Sequence, residues 1–364
     1  MGGFRASRYI FFEMLPSFLL GVFIFISILL MFQALRLTEF MLVHGVQLGE
    51  AIRIMSYLAI SFLPVIFPMS LLFSTILTYG RLSQDSEIVA MRALGLDTKT
   101  LMVPALVLGI IVTLMSAQTS FNLAPWGNRK FEVLIHQMKS LKASATIKAG
   151  VFSEGLFDLV FYTNEIDSKT GVLKKVFIFD ERNPEAPLTI VAKEGELLQD
   201  ETLPQNKSLL RLKEGNIHRT QTDNYTKVDF NSFDVNLSEP VEYSEKRKTP
   251  LSYTFKDLGV AIDDPKITGK HKRKLKIEYH RRLAISIACL LFAILGFVMG
   301  TRTNSRSAKS GGVILSIGVI VVYWILYVVF EGMAKNGRLP VGPSIWTTNL
   351  VFFGVMFWRY RKVT

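Results

Sequence analysis

The loop "GRLSQDSEIVAMRALGLDTKT", residues 80–100, carries the side-chain arrangement in this chain whose spacing best suggests work at a site. A helix is expected over about 84–95. Ser83 or Asp85 can cap it, Glu87 sits favourably in its first turn, and Gly95 can end it. On that helix Glu87, Met91 and Leu94 fall on one face at i, i+4 and i+7, with Val89, Ala90 and Ala93 mostly opposite. The small residues suit close packing on the protein's own bundle. One carboxylate and two flexible apolar side chains then remain to dock in a groove on a soluble partner. The plainer alternative is a connector of ordinary amphipathicity.

A second set is cationic. Arg36, Arg53, Arg129 and Lys130 stand at the ends of long apolar runs. Such groups meet phosphate through charge-assisted hydrogen bonds, or snorkel to lipid headgroups. Catalytic sets do not assemble. His44, His136, His218, His271 and His280 lack the spacing of a tetrahedral metal site. Neither a Gly-x-x-x-x-Gly-Lys-Ser/Thr phosphate loop nor a Gly-x-Ser-x-Gly elbow occurs, so nucleotide hydrolysis and acyl transfer by this chain are not expected. Cys289 is the only cysteine, which rules out an internal disulfide. The apolar runs carry no row of carboxylates for a proton relay, and Glu331 reads as an interfacial residue.

The elements that must position these residues follow from composition. Of 364 residues, 49% are hydrophobic and 27 are Phe, which marks an integral membrane protein. The net charge of +12 fits lipid headgroups better than nucleic acid, because the cations are not interleaved with stacking aromatics. A span takes about 20 apolar residues. Met14–Leu35, Ile54–Tyr79, Leu101–Ala117, Leu283–Met299, Val313–Phe330 and the shorter Ser344–Trp358 qualify, with kinks expected at Pro64 and Pro68. The first run is too long for a signal-peptide core and lacks a small-residue cleavage site. These runs make two blocks of three, 1–120 and 283–364, around an insert at 121–282.

Orientation follows from Lys and Arg in short loops. With both termini inside, eleven lie on the inner side: Arg5, Arg8, Arg81, Arg92, Lys99, Arg302, Arg306, Lys309, Arg359, Arg361 and Lys362. Four lie outside: Arg36, Arg53, Lys335 and Arg338. The insert is then extracytoplasmic, although seven cations between Lys270 and Arg282 argue the other way. Within the insert, Pro125–Lys142 reads as a helix. "DLVFYTNEI", "GVLKKVFIFDE", "PLTIVAKEGELLQ", "SLLRLKEGNIHR" and "YTKVDFNSFDVNL" read as strands separated by turn residues. Their spacing suggests an antiparallel sandwich or open roll. "LSYTFKDLGVAI" suggests a short helix in a basic return linker.

Several stretches carry a family likeness. "RYIFFEMLPSFLLGVFIFISILL", "LPVIFPMSLLFSTILTYGRLSQDSEIVAMRALG", "LAPWGNRKFE" and "NGRLPVGPSIWTTNL" resemble the lipopolysaccharide-export permease family, nearer its F-type than its G-type branch. The likeness covers essentially the whole chain and is most specific over Ser86–Gly95. It implies a six-helix membrane bundle, three plus three, with an inserted periplasmic all-β jellyroll-like domain. It also implies a multi-pass protein of the bacterial inner membrane. Its expected partners are a related permease subunit as heterodimer, a cytoplasmic ATP-binding-cassette ATPase dimer, a single-span β-jellyroll protein, and lipopolysaccharide. No cofactor would sit in this chain, ATP and Mg being bound by the ATPase. Glu87, Met91, Arg92, Leu94 and Gly95 would form the ATPase-coupling helix. Arg36, Arg53, Arg129 and Lys130 would meet the substrate's phosphates, with acyl chains along the first and fifth spans. The rival class, an envelope sensor or scaffold with a ligand-binding β domain, needs a signalling output domain, and the cytoplasmic loops are too short to hold one. A lipid-modifying enzyme lacks its catalytic set. A drug or lipoprotein exporter usually carries its large domain between the first two spans.

Overall fold

The structure, a computed structural model, describes residues 2–44, 48–141, 149–156, 159–167, 172–180, 188–200, 207–221, 224–236, 248–301 and 311–361. Arg302, Arg306, Lys309 and Lys362, used above for orientation, lie outside these residues. Two compact units form. One holds Met1–Leu37, Ile52–Lys130 and Thr249–Thr364; the other holds Thr38–Ala51 and Phe131–Lys248. Residues 249–282, read with the insert because they are polar, group with the helices.

The helices are α1 (Gly2–His44), α2 (Leu48–Gln84), α3 (Glu87–Ala93), α4 (Thr98–Gln118), α5 (Ala124–Leu141), α6 (Phe255–Asp263), α7 (Gly269–Gly300), α8 (Gly311–Lys335) and α9 (Val341–Tyr360). A π-helical turn, Thr119–Leu123, joins α4 to α5 and makes them one continuous rod. Among the described residues, five helical stretches are long and apolar enough to cross a bilayer: Gly3–Thr38, Leu48–Gln84, Thr98–Ile135, Gly269–Gly300 and Gly312–Lys335. The sixth expected span forms as α9 but falls outside this group, because Ser344, Thr347, Thr348 and Asn349 dilute its first half. Of these, Asn349 is buried inside the bundle. Asn349 accepts from Tyr323 Oη at 2.9 Å and donates to the Ala284 carbonyl at 2.8 Å, tying α9 to α8 and α7.

Close approach of backbones organises the rest. A Cβ at Gly109 would lie 2.8 Å from Ala293 Cβ, and one at Gly296 would lie 2.8 Å from Thr75 Cβ, so α4 and α2 both press against α7 where only glycine fits. Pro68 cannot donate to the Pro64 carbonyl one turn earlier; the Ser116 hydroxyl of α4 approaches that oxygen at 3.5 Å instead.

The strands are β1 (Ser153–Leu156), β2 (Leu159–Ile166), β3 (Leu173–Asp180), β4 (Leu188–Asp200), β5 (Lys207–Gln221) and β6 (Asn224–Asn236). They make one six-stranded antiparallel sheet in chain order, a meander, rather than the Greek-key crossings of a jellyroll. Period-two alternation buries Leu159, Phe161, Val176, Ile178, Ile190, Leu210 and Leu212 on one face. The ladder is interrupted along a line. Pairings Thr163↔Val176 and Glu165↔Lys174 flank Asn164 and Lys175, and the gap continues through Lys193, Glu214 and Asn231. Lys175 (φ 52) and Glu214 (φ 48) take left-handed backbone on this crease, and a Cβ at Gly215 would meet the Val191 carbonyl. Lys193 and Glu214 pair across it at 2.7 Å. Farther along, Arg211 grips Asp234 through two hydrogen bonds of 2.9 Å and holds its carboxyl below the usual range.

Candidate functional site

Helix α3 is a seven-residue turn with a well-made exit. The Gly95 N–H donates to the Arg92 carbonyl at 2.9 Å and the Leu96 N–H to Met91 at 3.1 Å, with Gly95 at φ 85. This is a Schellman motif, and Gly95 ends the helix as its position in the sequence predicts. The entry differs from expectation. Helix α2 continues through Gln84, so Ser83 lies inside it and its hydroxyl reaches the Thr301 carbonyl at 3.3 Å. The Asp85 N–H still bonds back to Arg81. Ser86, in left-handed backbone, occupies the N-cap and makes no side-chain cap bond.

The faces of α3 differ in part from those assigned from the helical wheel: Leu94 faces outward as expected, but Met91 does not, and Val89, Ala90 and Ala93 do. Ile88 is buried with Ile10, Met14, Leu82 and Leu101, and Met91 packs against the same cluster. With Ile88 as the inward anchor, Met91 at i+3 must follow it. Val89 (65% exposed) and Leu94 (84%) therefore face away, together with Ala90, Arg92 and Ala93. Glu87 lies half-buried at the seam, where the Tyr9 hydroxyl donates to its Oε1 at 3.4 Å.

Large apolar faces are left uncovered on two helices. Only 11% of the apolar stretch of α1 and 22% of that of α8 is buried, against 72% in α7. Phe23, Met31, Phe32 and Leu35 of α1 and Ile314, Ile325 and Val328 of α8 are more than half exposed.

The four cations at the helix ends are brought together in part. Arg36, Arg53 and Lys130 are exposed, and Arg129 is half-buried. The Tyr57 and Trp126 rings meet edge to face at 5.7 Å, and a Cβ at Gly127 would lie 3.0 Å from the Tyr57 carbonyl. Helices α2 and α5 run antiparallel there, so Arg53, one turn before Tyr57, and Lys130, one turn after Trp126, sit at the same end. Arg36 lies at the same end of the chain's path, in the last turns of α1.

Next to this level is a buried charge cluster on α7. Glu278 bridges Arg282 at 2.9 Å and Arg281 at 2.9 Å, and the Arg282 and Glu278 side chains are only 4% and 7% exposed. Arg282 also donates to the carbonyls of Tyr253 (2.7 Å), Leu251 (3.1 Å) and Pro250 (3.4 Å). One guanidinium thus pins the return segment to α7 by donating to three of its carbonyls. A cavity of ≈ 40 Å³ adjoins it, lined by Ser61, Ser120, Asn128 and Arg281 among others.

The family described as "Lipopolysaccharide export system permease LptF/LptG" matches residues 8–362. The chain belongs to that family. The LptF protein of Escherichia coli K12, a lipopolysaccharide export system permease, is 19% identical over 299 residues, covering 80% of this chain and 76% of that protein. An uncharacterized protein of Rickettsia prowazekii, RP871, is 21% identical over 299 residues, covering 79% of this chain and 80% of its own length. The family likeness read from the sequence is therefore confirmed, as are membrane helices and an antiparallel sheet domain in one permease chain.

Several residues that shape the site in this family member were not singled out from sequence. Tyr9, Glu13, Ile88 and Glu278 are the main ones. For Glu278 a signal existed: an acid four residues before Arg282, alone in a basic helical stretch, is the spacing of an i, i+4 pair. Tyr9 and Glu13 also stand four apart, but their partners are distant in the chain and no local pattern names them.

Proposed function

We propose that this chain is the transmembrane permease subunit of an ATP-driven lipopolysaccharide exporter, with the ATPase on a separate chain. Residues Val89, Arg92, Ala93 and Leu94 form the face that enters a groove on a cytoplasmic ATP-binding-cassette ATPase dimer, with Glu87 at its edge and Gly95 fixing the exit. The observation that carries this reading is the outward apolar face of α3, ending in Leu94 at 84% exposure, on a chain without a phosphate loop. ATP and Mg bind the partner, and this chain converts the partner's motion into displacement of helices.

The uncovered faces of α1 and α8 meet a related permease subunit as heterodimer, and the acyl chains of lipopolysaccharide lie between them. Arg53, Arg129 and Lys130, with Arg36, face the phosphorylated head. The sheet lies on the periplasmic side and passes the lipid to a single-span partner with its own β domain. Both termini are then cytoplasmic and the protein sits in the bacterial inner membrane.

Leu94→Glu places a charge in the groove-facing surface. We expect loss of ATPase co-purification from mild detergent while the variant chain still reaches the membrane. Normal co-purification and normal lipid release by this variant would exclude α3 as the coupling element. Glu87→Ala is the milder companion, with weaker assembly or hydrolysis uncoupled from release.

A further inference from the structure

The α3 end of α1 is fastened to α3 and its flanks by a row of contacts that the family likeness does not supply. A Cβ at Gly3 would lie 3.2 Å from Thr100 Cγ2 and 3.7 Å from Leu96 Cδ2, so the helix starts in contact with the segment that follows α3. The Ser7 hydroxyl donates to the Thr100 carbonyl at 3.4 Å. Tyr9 donates to Glu87 at 3.4 Å, and Glu13 pairs with Arg81 at 2.7 Å. Between these polar contacts Ile10 and Met14, both 0% exposed, share a core with Ile88, the residue that anchors α3. Tyr9 and Glu13 are four apart, so both lie on one face and grip the two sides of the α2–α3 turn.

Beyond this region the character of α1 changes. Gly21 touches Ser70 and Phe73, where a Cβ would sit 3.2–3.3 Å from their atoms. From Val22 to Arg36 no residue of α1 is buried. The helix is therefore held along its first five turns and largely uncovered from Val22 to Arg36.

We propose that Tyr9 and Glu13 are positioning residues that clamp α1 to the coupling helix, so that displacement of α3 swings the uncovered half of α1 directly. The inference rests on the assignment of α3 as coupling helix and goes beyond it by naming the route. A push on α3 does not have to pass through the bundle core; the seam around Glu87 and Arg81 carries it to α1 in one step. Helix α1 runs without a break from Tyr9 to Phe32, with Pro16 removing one rung of its ladder, so a small tilt at Tyr9 becomes a larger displacement at Phe32. Tyr9 also holds the Glu87 carboxylate at the seam, which fixes the side chain that flanks the docking face.

The test uses the full complex in proteoliposomes, reading ATP hydrolysis and lipopolysaccharide release together. The Tyr9→Phe, Glu13→Gln double variant removes the hydrogen bond and the ion pair while keeping side-chain volume. We expect hydrolysis within about twofold of the unmodified complex and release per ATP reduced about fivefold or more, the scale of a modest coupling energy. The charge exchange Glu13→Arg with Arg81→Glu, Tyr9 being kept, is expected to recover most of that loss, which assigns it to the Glu13–Arg81 contact, while the retained hydrolysis excludes a defect of assembly. Unchanged release per ATP in the double variant would overturn the clamp. If the double variant does not assemble, Tyr9→Phe alone, which deletes a single oxygen, carries the same comparison. Leu94→Glu run in parallel separates the two claims. Loss of assembly there with normal coupling in the double variant rejects the clamp alone; no effect of Leu94→Glu rejects the coupling helix and the clamp with it.

Discussion

At the scale of single residues, the outcome turned on which side chain anchors a short helix. Glu87, Met91 and Leu94 share a stripe along α3 and its C-cap, but seven residues cannot say which part of it turns inward. Ile88 decides it by burying itself beside Ile10 and Met14, which belong to another helix. The basic stretch before the fourth span shows the same limit. Seven cations there enter the sequence reading only as charges beside a span, yet Arg282 is buried, with Glu278 neutralising it and three carbonyls completing its hydrogen bonds. A buried ion pair adds little over an apolar pair of the same shape, whereas removing one partner leaves an uncompensated charge. Glu278→Ala is therefore expected to cost about 3–5 kcal/mol, with a large drop in unfolding temperature in detergent. Lys335→Ala, which removes one half of the more exposed pair with Glu331, serves as the control and should cost about 1 kcal/mol or less.

At the scale of elements, helices and strands were legible because their signals are local. The five sequence runs with strand character became β2 to β6, each within about two residues at either end, through alternation and turn residues. The helix over 255–263 and the rod into α5 were equally visible. What could not be read was how strands connect in space. Spacing alone allows a sandwich, a roll or a meander, and hydrogen-bond pairing decides among them. The crease is likewise invisible in sequence, because Lys175 and Glu214 are not residues that announce left-handed backbone. A non-glycine residue there carries a steric cost that glycine avoids. Lys175→Gly should thus stabilise the sheet by roughly 0.5–1 kcal/mol, read as a higher urea midpoint with unchanged slope. A lower midpoint would mean that the lysine side chain contributes more than its backbone costs.

At the scale of the molecule, the order of parts was the clearest feature: apolar runs in two blocks with a strand-rich insert between. Orientation across the membrane is tested with thiols, since Cys289 is buried and gives little background. Tyr225 is 64% exposed on β6 and Leu94 is 84% exposed after α3. A membrane-impermeant maleimide applied to cells with a permeable outer membrane should label Tyr225→Cys and leave Leu94→Cys untouched until the inner membrane is opened. The opposite pattern would reverse the whole arrangement.

The helical unit is assembled from pieces on both sides of residues 131–248, and its most enclosed helix, α7, belongs to the later piece. During synthesis α2 and α4 enter the bilayer before the helix that fills the groove between them has been made. Meanwhile the insert pairs strand with neighbouring strand, the kind of local contact that forms early. In biogenesis the glycine seam of α7 should accordingly close the bundle last.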